Sequence, residues 1–183
     1  ASSDDTVKIV RSFQDTRIQL ETNETRRGIG YGHNRVLALS RAPFIAHIDA
    51  DDFIARGALR KMVTALENNP RAGQAYCQFY DIDQTGSILQ DIFLHRTKEY
   101  QKRAASPFDY RRELIATGMV CNHLRTYPRH VLKTLGGFNA NLTFAVDYEM
   151  ALRIVNQHEI EFVPEFLYAR RLHTHNTTES MRF

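Results

Sequence analysis

The run Asp49-Ala50-Asp51-Asp52 places three carboxylates within four residues. Asp49 and Asp51 are two apart, so in extended backbone they point the same way. Carboxylates held together repel one another. A hard divalent cation, Mg²⁺ or Mn²⁺, relieves that repulsion and recruits phosphate oxygens. Such a site suits a reaction with a diphosphate leaving group, because the metal neutralises the charge that builds as the bond to phosphate breaks. The alternative is an acidic turn that caps the following helix. A calcium loop is set aside because its Gly and distal Glu are absent at the required offsets. A phosphatase-type nucleophilic Asp lacks a clear downstream lysine-bearing motif.

Other residues offer weaker chemistry. Asp147 opens a helical pattern, where the helix dipole favours a carboxylate and a capping role suffices to explain it. Glu149 supports an acceptor or forms a salt bridge along the same helix. His173 and His175 alternate on a strand-like segment, so both can face one side. Arg170 and Arg171 either pair with a diphosphate or decorate an exposed strand. Gly28, Gly30 and Gly32 have dinucleotide-loop spacing, but the residues before them, Asn23-Glu24-Thr25-Arg26-Arg27, form a polar loop. That fingerprint follows directly on a hydrophobic strand, so the reading fails on context. Tyr76, Phe79, Tyr80 and Tyr127 read as core.

These residues need elements to position them. Phe44–Ile48 is a short, mostly apolar run between two helical patterns, which predicts a buried parallel strand ending at the acidic cluster. Open α/β sheets bind ligands beyond the carboxyl ends of such strands. Before it, Val7, Ile9, Val10 and Phe13 give a short helix an apolar face. Arg17–Glu21 alternates like a strand, Asn23–His33 is a loop, and Val36, Leu37, Leu39 and Ala42 belong to a helix. Ser2-Ser3-Asp4-Asp5-Thr6 reads as a helix cap with no strand ahead of it. After the cluster, Gly57–Asn69 predicts a helix with Leu59, Met62, Val63 and Leu66 inward, stopped by Pro70. Ala75–Asp81 is a strand, Gln84-Thr85-Gly86 a turn, Ile88–Phe93 a returning partner strand, and Lys98–Phe108 a charged surface excursion. Met119–Tyr127 is strand-like, Gly136-Gly137-Phe138-Asn139 a turn, Asp147–Asn156 a helix, and Ile160–Val163 with Phe166–Leu172 the closing strands. The alternation of strand and helix predicts an α/β class with a mostly parallel central sheet.

The 183 residues suit one domain, and 43% hydrophobic with 25% charged residues is ordinary for a globular chain. A net charge of +3 is too small to argue for nucleic acid. Cys77 and Cys121 match no zinc or redox spacing and read as reduced residues of a cytoplasmic protein. No apolar run reaches the length of a membrane span, and no stretch of these residues reads as a signal peptide, so a cytoplasmic location is the expectation. Membrane association outside this segment, peripheral at the inner face, stays open.

The motifs then add up to a resemblance. Ile48-Asp49-Ala50-Asp51-Asp52 resembles the Asp-x-Asp motif of family 2 glycosyltransferases with the GT-A fold. Gly28-Ile29-Gly30-Tyr31-Gly32-His33-Asn34 resembles the loop and helix start ahead of that strand. Gly136-Gly137-Phe138-Asn139, Ala145-Val146-Asp147-Tyr148-Glu149-Met150, and Arg171-Leu172-His173 with Asn176-Thr177-Thr178 follow in family order. Asn122-His123-Leu124-Arg125 resembles the pattern before the Gly-Phe-Asn turn. The likeness is greatest to the transferase domains of bacterial chondroitin and hyaluronan polymerases, and it runs over nearly the whole chain. Asp-x-Asp alone is weak; four motifs in order are strong.

The resemblance implies a GT-A-like sandwich over residues 1–183 and an inverting transfer from a nucleotide-diphosphate sugar, a UDP-sugar, to a hydroxyl of a glycan or other acceptor. It implies that Asp51 ligates Mn²⁺ or Mg²⁺, with Asp49 on the donor's ribose or the metal shell and His173 as a further ligand. Asp147 stands where the family has its general base. Gly28, Gly30 and Asn34 lie near the nucleotide, and Asp52, Glu149 and Arg171 complete the candidates. The family begins with a strand followed by Asp-Asp-Gly-Ser, of which Ala1-Ser2-Ser3-Asp4 matches only the tail, so the first strand is expected to be missing. Two other readings remain: a non-catalytic domain that binds sugar nucleotides or glycans, and a metal-dependent nucleoside-diphosphate hydrolase.

Overall fold

The computed structural model describes residues 4–104 and 108–173. Two short helices, α1 (Thr6–Ser12) and α2 (Ile29–Leu39), precede β1 (Phe44–Ala46) and β2 (Phe53–Ile54). Then come α3 (Ala58–Asn68), β3 (Ala72–Ile82), α4 (Gln90–Ala104), α5 (Tyr110–Thr117), β4 (His123–Pro128), α6 (Arg129–Thr134), α7 (Val146–Ile154) and β5 (Glu159–Arg171). The five strands form one sheet in the order β1-β4-β3-β5-β2.

The β3 and β5 strands pair in parallel, and β4 is antiparallel to both β3 and β1. Hence β1, β3 and β5 run the same way, as expected of a mostly parallel sheet, while β4 and the two-residue β2 run against them. The sheet is mixed: β3–β5 is its parallel pair, and β1, expected as a buried parallel strand, is an edge strand beside antiparallel β4. The topology has one consequence for function. The carboxyl ends of β1, β3 and β5 and the amino end of β4 lie at the same end of the sheet. Four segments far apart in sequence therefore meet there.

Both faces of the sheet are covered, which is why β3 is buried along nearly its whole length. On one face Tyr76, Tyr127, Leu132, Phe138, Met150 and Ile154 pack together beneath α2, α5, α6 and α7. On the other, Met62, Cys77, Phe79, Tyr100, Leu124 and Tyr168 pack beneath α3 and α4. Ala58, Met62 and Leu66 recur every fourth residue and form the buried stripe of α3. Leu59 lies one position off that stripe and is exposed, contrary to the inward placement expected.

Several expected elements differ. Arg17–Glu21 is mostly exposed coil, its alternation serving no partner strand. The helix α2 begins at Ile29, within the stretch read as a loop. Beyond one bridge from Ile88 to Ile82, the returning strand is absent, and α4 occupies its place and most of the expected surface excursion. The fully buried Asp81 carboxylate explains this segment: it binds Arg96 of α4 at 2.7 Å and Arg170 of β5 at 2.6 Å. Tyr100, one turn on from Arg96, is buried against Phe79. The two closing strands are one, β5, with a register shift at Pro164-Glu165 between the pairs Cys77–Val163 and Gln78–Phe166. Proline has no N–H to donate, and the irregularity accommodates it. The residues of α1 bury no side chain fully. The free edge of β1 meets no other strand among the described residues. No described helix is long and apolar enough to cross a membrane.

Candidate functional site

The acidic run turns sharply as it leaves β1: the Asp52 N–H donates to the Asp49 carbonyl at 3.2 Å. Tyr168 of β5 pins the turn. Its hydroxyl accepts from the Asp49 N–H at 3.2 Å and donates to an Asp52 carboxylate oxygen at 2.5 Å. The other Asp52 oxygen accepts from the Arg171 N–H at 2.7 Å. Burial pushes the Asp52 carboxyl above its ordinary pKa and the Tyr168 hydroxyl far above its own. Asp52 thus ties the turn to β5, and its neighbours Asp49 and Asp51 remain exposed.

His173, two residues beyond β5, reaches Asp51: its Nε2 lies 2.8 Å from Oδ2. The alternation of strand and helix could not have paired these residues, 122 positions apart, yet both are brought to the same end of the sheet. Arg171 spends its guanidinium on backbone, donating to the Asp51 carbonyl at 3.1 Å and to the Asp83 and Gln84 carbonyls at 2.9 and 2.7 Å. Arg170 is the Asp81 partner described above. The Arg171 donors hold the loop after β3 against the acidic turn.

A histidine given no role from sequence joins the cluster. His123, at the start of β4, has a ring nitrogen within 4.8 Å of carboxylate oxygens of both Asp49 and Asp52. It stacks on Tyr168 with centroids 4.5 Å apart and meets Phe79 edge-on. Burial, with Arg125, Arg170 and Arg96 nearby, lowers its pKa well below the ordinary value. A neutral imidazole among carboxylates is a divalent-metal ligand in its binding form. Carboxylates with an imidazole fit Mn²⁺ better than Mg²⁺. The ligand atoms that come within 4.8 Å of one another are those of Asp49, Asp52 and His123, and Asp51 with His173 forms a second pair. The only sequence signal for His123 was its place in the Asn122-His123-Leu124-Arg125 pattern.

Asp147 sits in the first turn of α7. The residue capping that helix, Ala145, has φ of 56°, the one non-glycine residue with positive φ among those described. One Asp147 oxygen lies 2.9 Å from Arg125 Nη1, and the other accepts the Tyr148 N–H at 3.0 Å. Arg125, on β4, is 9% exposed. Burial works against its charge, but Tyr127, Asp147 and Asp49 more than offset it and raise its pKa. Arg125 thus holds the base candidate through its side chain, and its backbone carbonyl accepts the His47 N–H two residues before Asp49.

Beside Arg125, the rings of His33 and His47 stack with centroids 3.9 Å apart, 11° from parallel. Burial, reinforced by Arg125, lowers His33 to about 4 although Asp147 opposes the shift. Burial, His33 and Arg125 lower His47 well below its ordinary value. The sign of the stability effect follows. The unfolded chain takes up protons near pH 6.5, whereas folded His33 does so only near 4. Stability is therefore complete above pH 6.5 and falls between 6.5 and 4. Urea unfolding across that window should show a loss on the order of 2 kcal/mol from His33, reduced in His33→Gln; a flat profile would contradict the buried pair.

Three donor-region candidates have structural work. The Asn34 side-chain amide donates to the Phe138 carbonyl and accepts the Phe138 N–H, both at 2.7 Å. A Cβ on Gly30 would stand 2.8 Å from the Asn139 carbonyl oxygen. Both residues thus clamp α2 onto the Gly136–Asn139 turn. Gly28 caps α2 with φ of 81° and open space around it. Gly137 has φ of 78°, and a Cβ there would lie 2.5 Å from Asn34 Oδ1. Gly137→Ala is expected to cost about 3 kcal/mol, from left-handed strain and crowding together, in urea unfolding. Glu149 pairs with Arg153 at 2.7 Å within α7, the salt-bridge option raised from sequence. His175 and Asn176-Thr177-Thr178 lie outside the described residues, as do Ala1, Ser2 and Ser3. A separate open cavity of about 320 Å³, lined by Phe108, Tyr110, Val155 and His158, lies by the start of β5, at the other end of the sheet.

The family model "Glycosyl transferase family 2" matches residues 1–136. The chain is 24% identical over 178 residues to chondroitin synthase of Escherichia coli, covering 97% of this chain and 24% of that one. TarS of S. aureus in complex with UDP-GlcNAc superposes with a TM-score of 0.69 at 14% identity, covering 100% of this chain and 50% of that chain. A mannosyltransferase from Pyrobaculum calidifontis in complex with GDP-Man and Mn²⁺ gives 0.69 at 22% identity, covering 96% and 47%. The chain thus spans about a quarter of that curated relative and about half of each solved chain.

Proposed function

The chain belongs to glycosyl transferase family 2 and has the GT-A fold, and from that premise we propose that it is an inverting transferase that moves a sugar from a UDP-sugar to an acceptor hydroxyl. The observation that supports this most is the meeting of Asp51 and His173 at 2.8 Å, with Asp147 paired to Arg125, whose carbonyl holds the strand leading into the acidic turn.

In this reading the acceptor oxygen attacks the anomeric carbon from the face opposite the diphosphate. The carbon–oxygen bond to the diphosphate breaks as the new bond forms, and Asp147 receives the acceptor proton. That proton leaves late, so a carboxylate suffices as base. Asp51 and His173, with Asp49 and His123 beside them, would hold Mn²⁺ or Mg²⁺, which supplies charge neutralisation for the departing diphosphate. Asp52 holds the turn, and Gly28 at the opening of α2 lies on the nucleotide side. The acceptor is a glycan or glycoconjugate hydroxyl in polysaccharide synthesis, with the domain in the cytoplasm or at the inner membrane face; its two free, buried cysteines suit that compartment.

Titration with Mn²⁺ and UDP, followed by UDP release with and without an acceptor sugar, tests the reading. Acceptor-dependent release supports transfer. Acceptor-independent release at the same rate would make the domain a hydrolase, and binding without release a non-catalytic module.

A further inference from the structure

Resting on that reading, we propose that Arg125 is the positioning residue of the reaction, fixing the Asp147 carboxylate relative to the acidic turn. Arg125 makes two ties that no other described residue combines. Its backbone carbonyl accepts the His47 N–H at 2.9 Å, two residues before Asp49, and so holds the strand that delivers the acidic turn. Its side chain holds Asp147 at 2.9 Å. The donor side and the acceptor side of the site are thereby referenced to one residue.

The surroundings leave the guanidinium little freedom. Nη1 also donates to the Asn122 carbonyl at 2.6 Å. Among the described residues Asp147 is the one carboxylate in ion-pair contact with it. The His33 and His47 rings stack on one another at 3.9 Å, and His47 is tied to Arg125 through its N–H. Arg125 Nε, His47 Nδ1 and the Tyr127 hydroxyl are buried with no hydrogen-bond partner. A hydrophobic residue would fill this interior with less desolvation cost. What it could not do is hold a carboxylate in one rotamer at the start of α7, where Asp147 keeps about a third of its side chain exposed toward solvent. An error of an ångström in such a group is enough to cost about two orders of magnitude in rate.

The test uses Arg125→Met and Arg125→Lys, each alone and combined with Asp147→Asn, reading the transfer rate at saturating donor and the Mn²⁺-dependent affinity for UDP. The Met variant should transfer about a hundredfold more slowly and the Lys variant about tenfold, with UDP affinity within about threefold of wild type. In the Asp147→Asn background the Arg125 changes should cost less than about twofold more, because a residue that acts through Asp147 has nothing left to position. Effects that multiply in the double variants, or a Met variant as fast as wild type, would overturn the proposal while leaving the transferase reading intact. Should the Met variant fail to fold, the Lys pair decides by the same criterion. Absence of transfer by the wild-type chain, with UDP bound, would sink both.

Discussion

Asp147→Asn is expected to slow transfer by about a thousandfold while the Mn²⁺-dependent affinity for UDP stays within about threefold of wild type. Asparagine has nearly the shape of aspartate and can accept the Tyr148 N–H and face Arg125, so the start of α7 should persist. It cannot take a proton from the acceptor. The loss therefore falls on the chemical step and spares donor binding, the pattern of a group that matters in the transition state. Steady-state rates at saturating donor, paired with UDP titration, separate the two. A variant that turns over at the wild-type rate would show that another group receives the proton.

Asp51→Ala should act on the other half of the site. Removing this carboxylate takes away the group that His173 touches and one of the charges that a divalent cation would neutralise. The expected result is a loss of Mn²⁺-stimulated UDP binding of at least about a hundredfold, with transfer lost in proportion. Asp52→Ala should differ in kind. Asp52 holds Tyr168 and the Arg171 N–H, so its loss should lower thermal stability as well as metal affinity. If the Asp51 variant bound UDP and Mn²⁺ as wild type does, the metal site would lie elsewhere.

Local chemistry was the legible part of this sequence. The acidic run, the strand that carries it and the helix opened by Asp147 can each be read from a dozen neighbouring residues, because residue type and spacing determine them. Partners across the sheet were not legible. Asn34 is expected near the nucleotide from its motif, but its hydrogen bonds to Phe138, 104 positions away, which clamp a turn, have no local signal. His123 and Arg125 sit on β4, which enters the sheet antiparallel between β1 and β3, and only that insertion brings its first residues to the acidic end. The helix α4 was hidden for a related reason: its charged, poorly patterned face is explained by a buried carboxylate, Asp81, that lies on β3.

One structure tests the central claim most directly: the chain crystallised with Mn²⁺ and a non-hydrolysable UDP-sugar. The account predicts the ion about 2.2 Å from an Asp51 oxygen and bound to an imidazole of His173 or His123. It also predicts the diphosphate on that ion and the anomeric carbon turned toward Asp147. A nucleotide seated at the far end of the sheet, by Phe108 and His158, with Asp51 and Asp147 untouched, would contradict it.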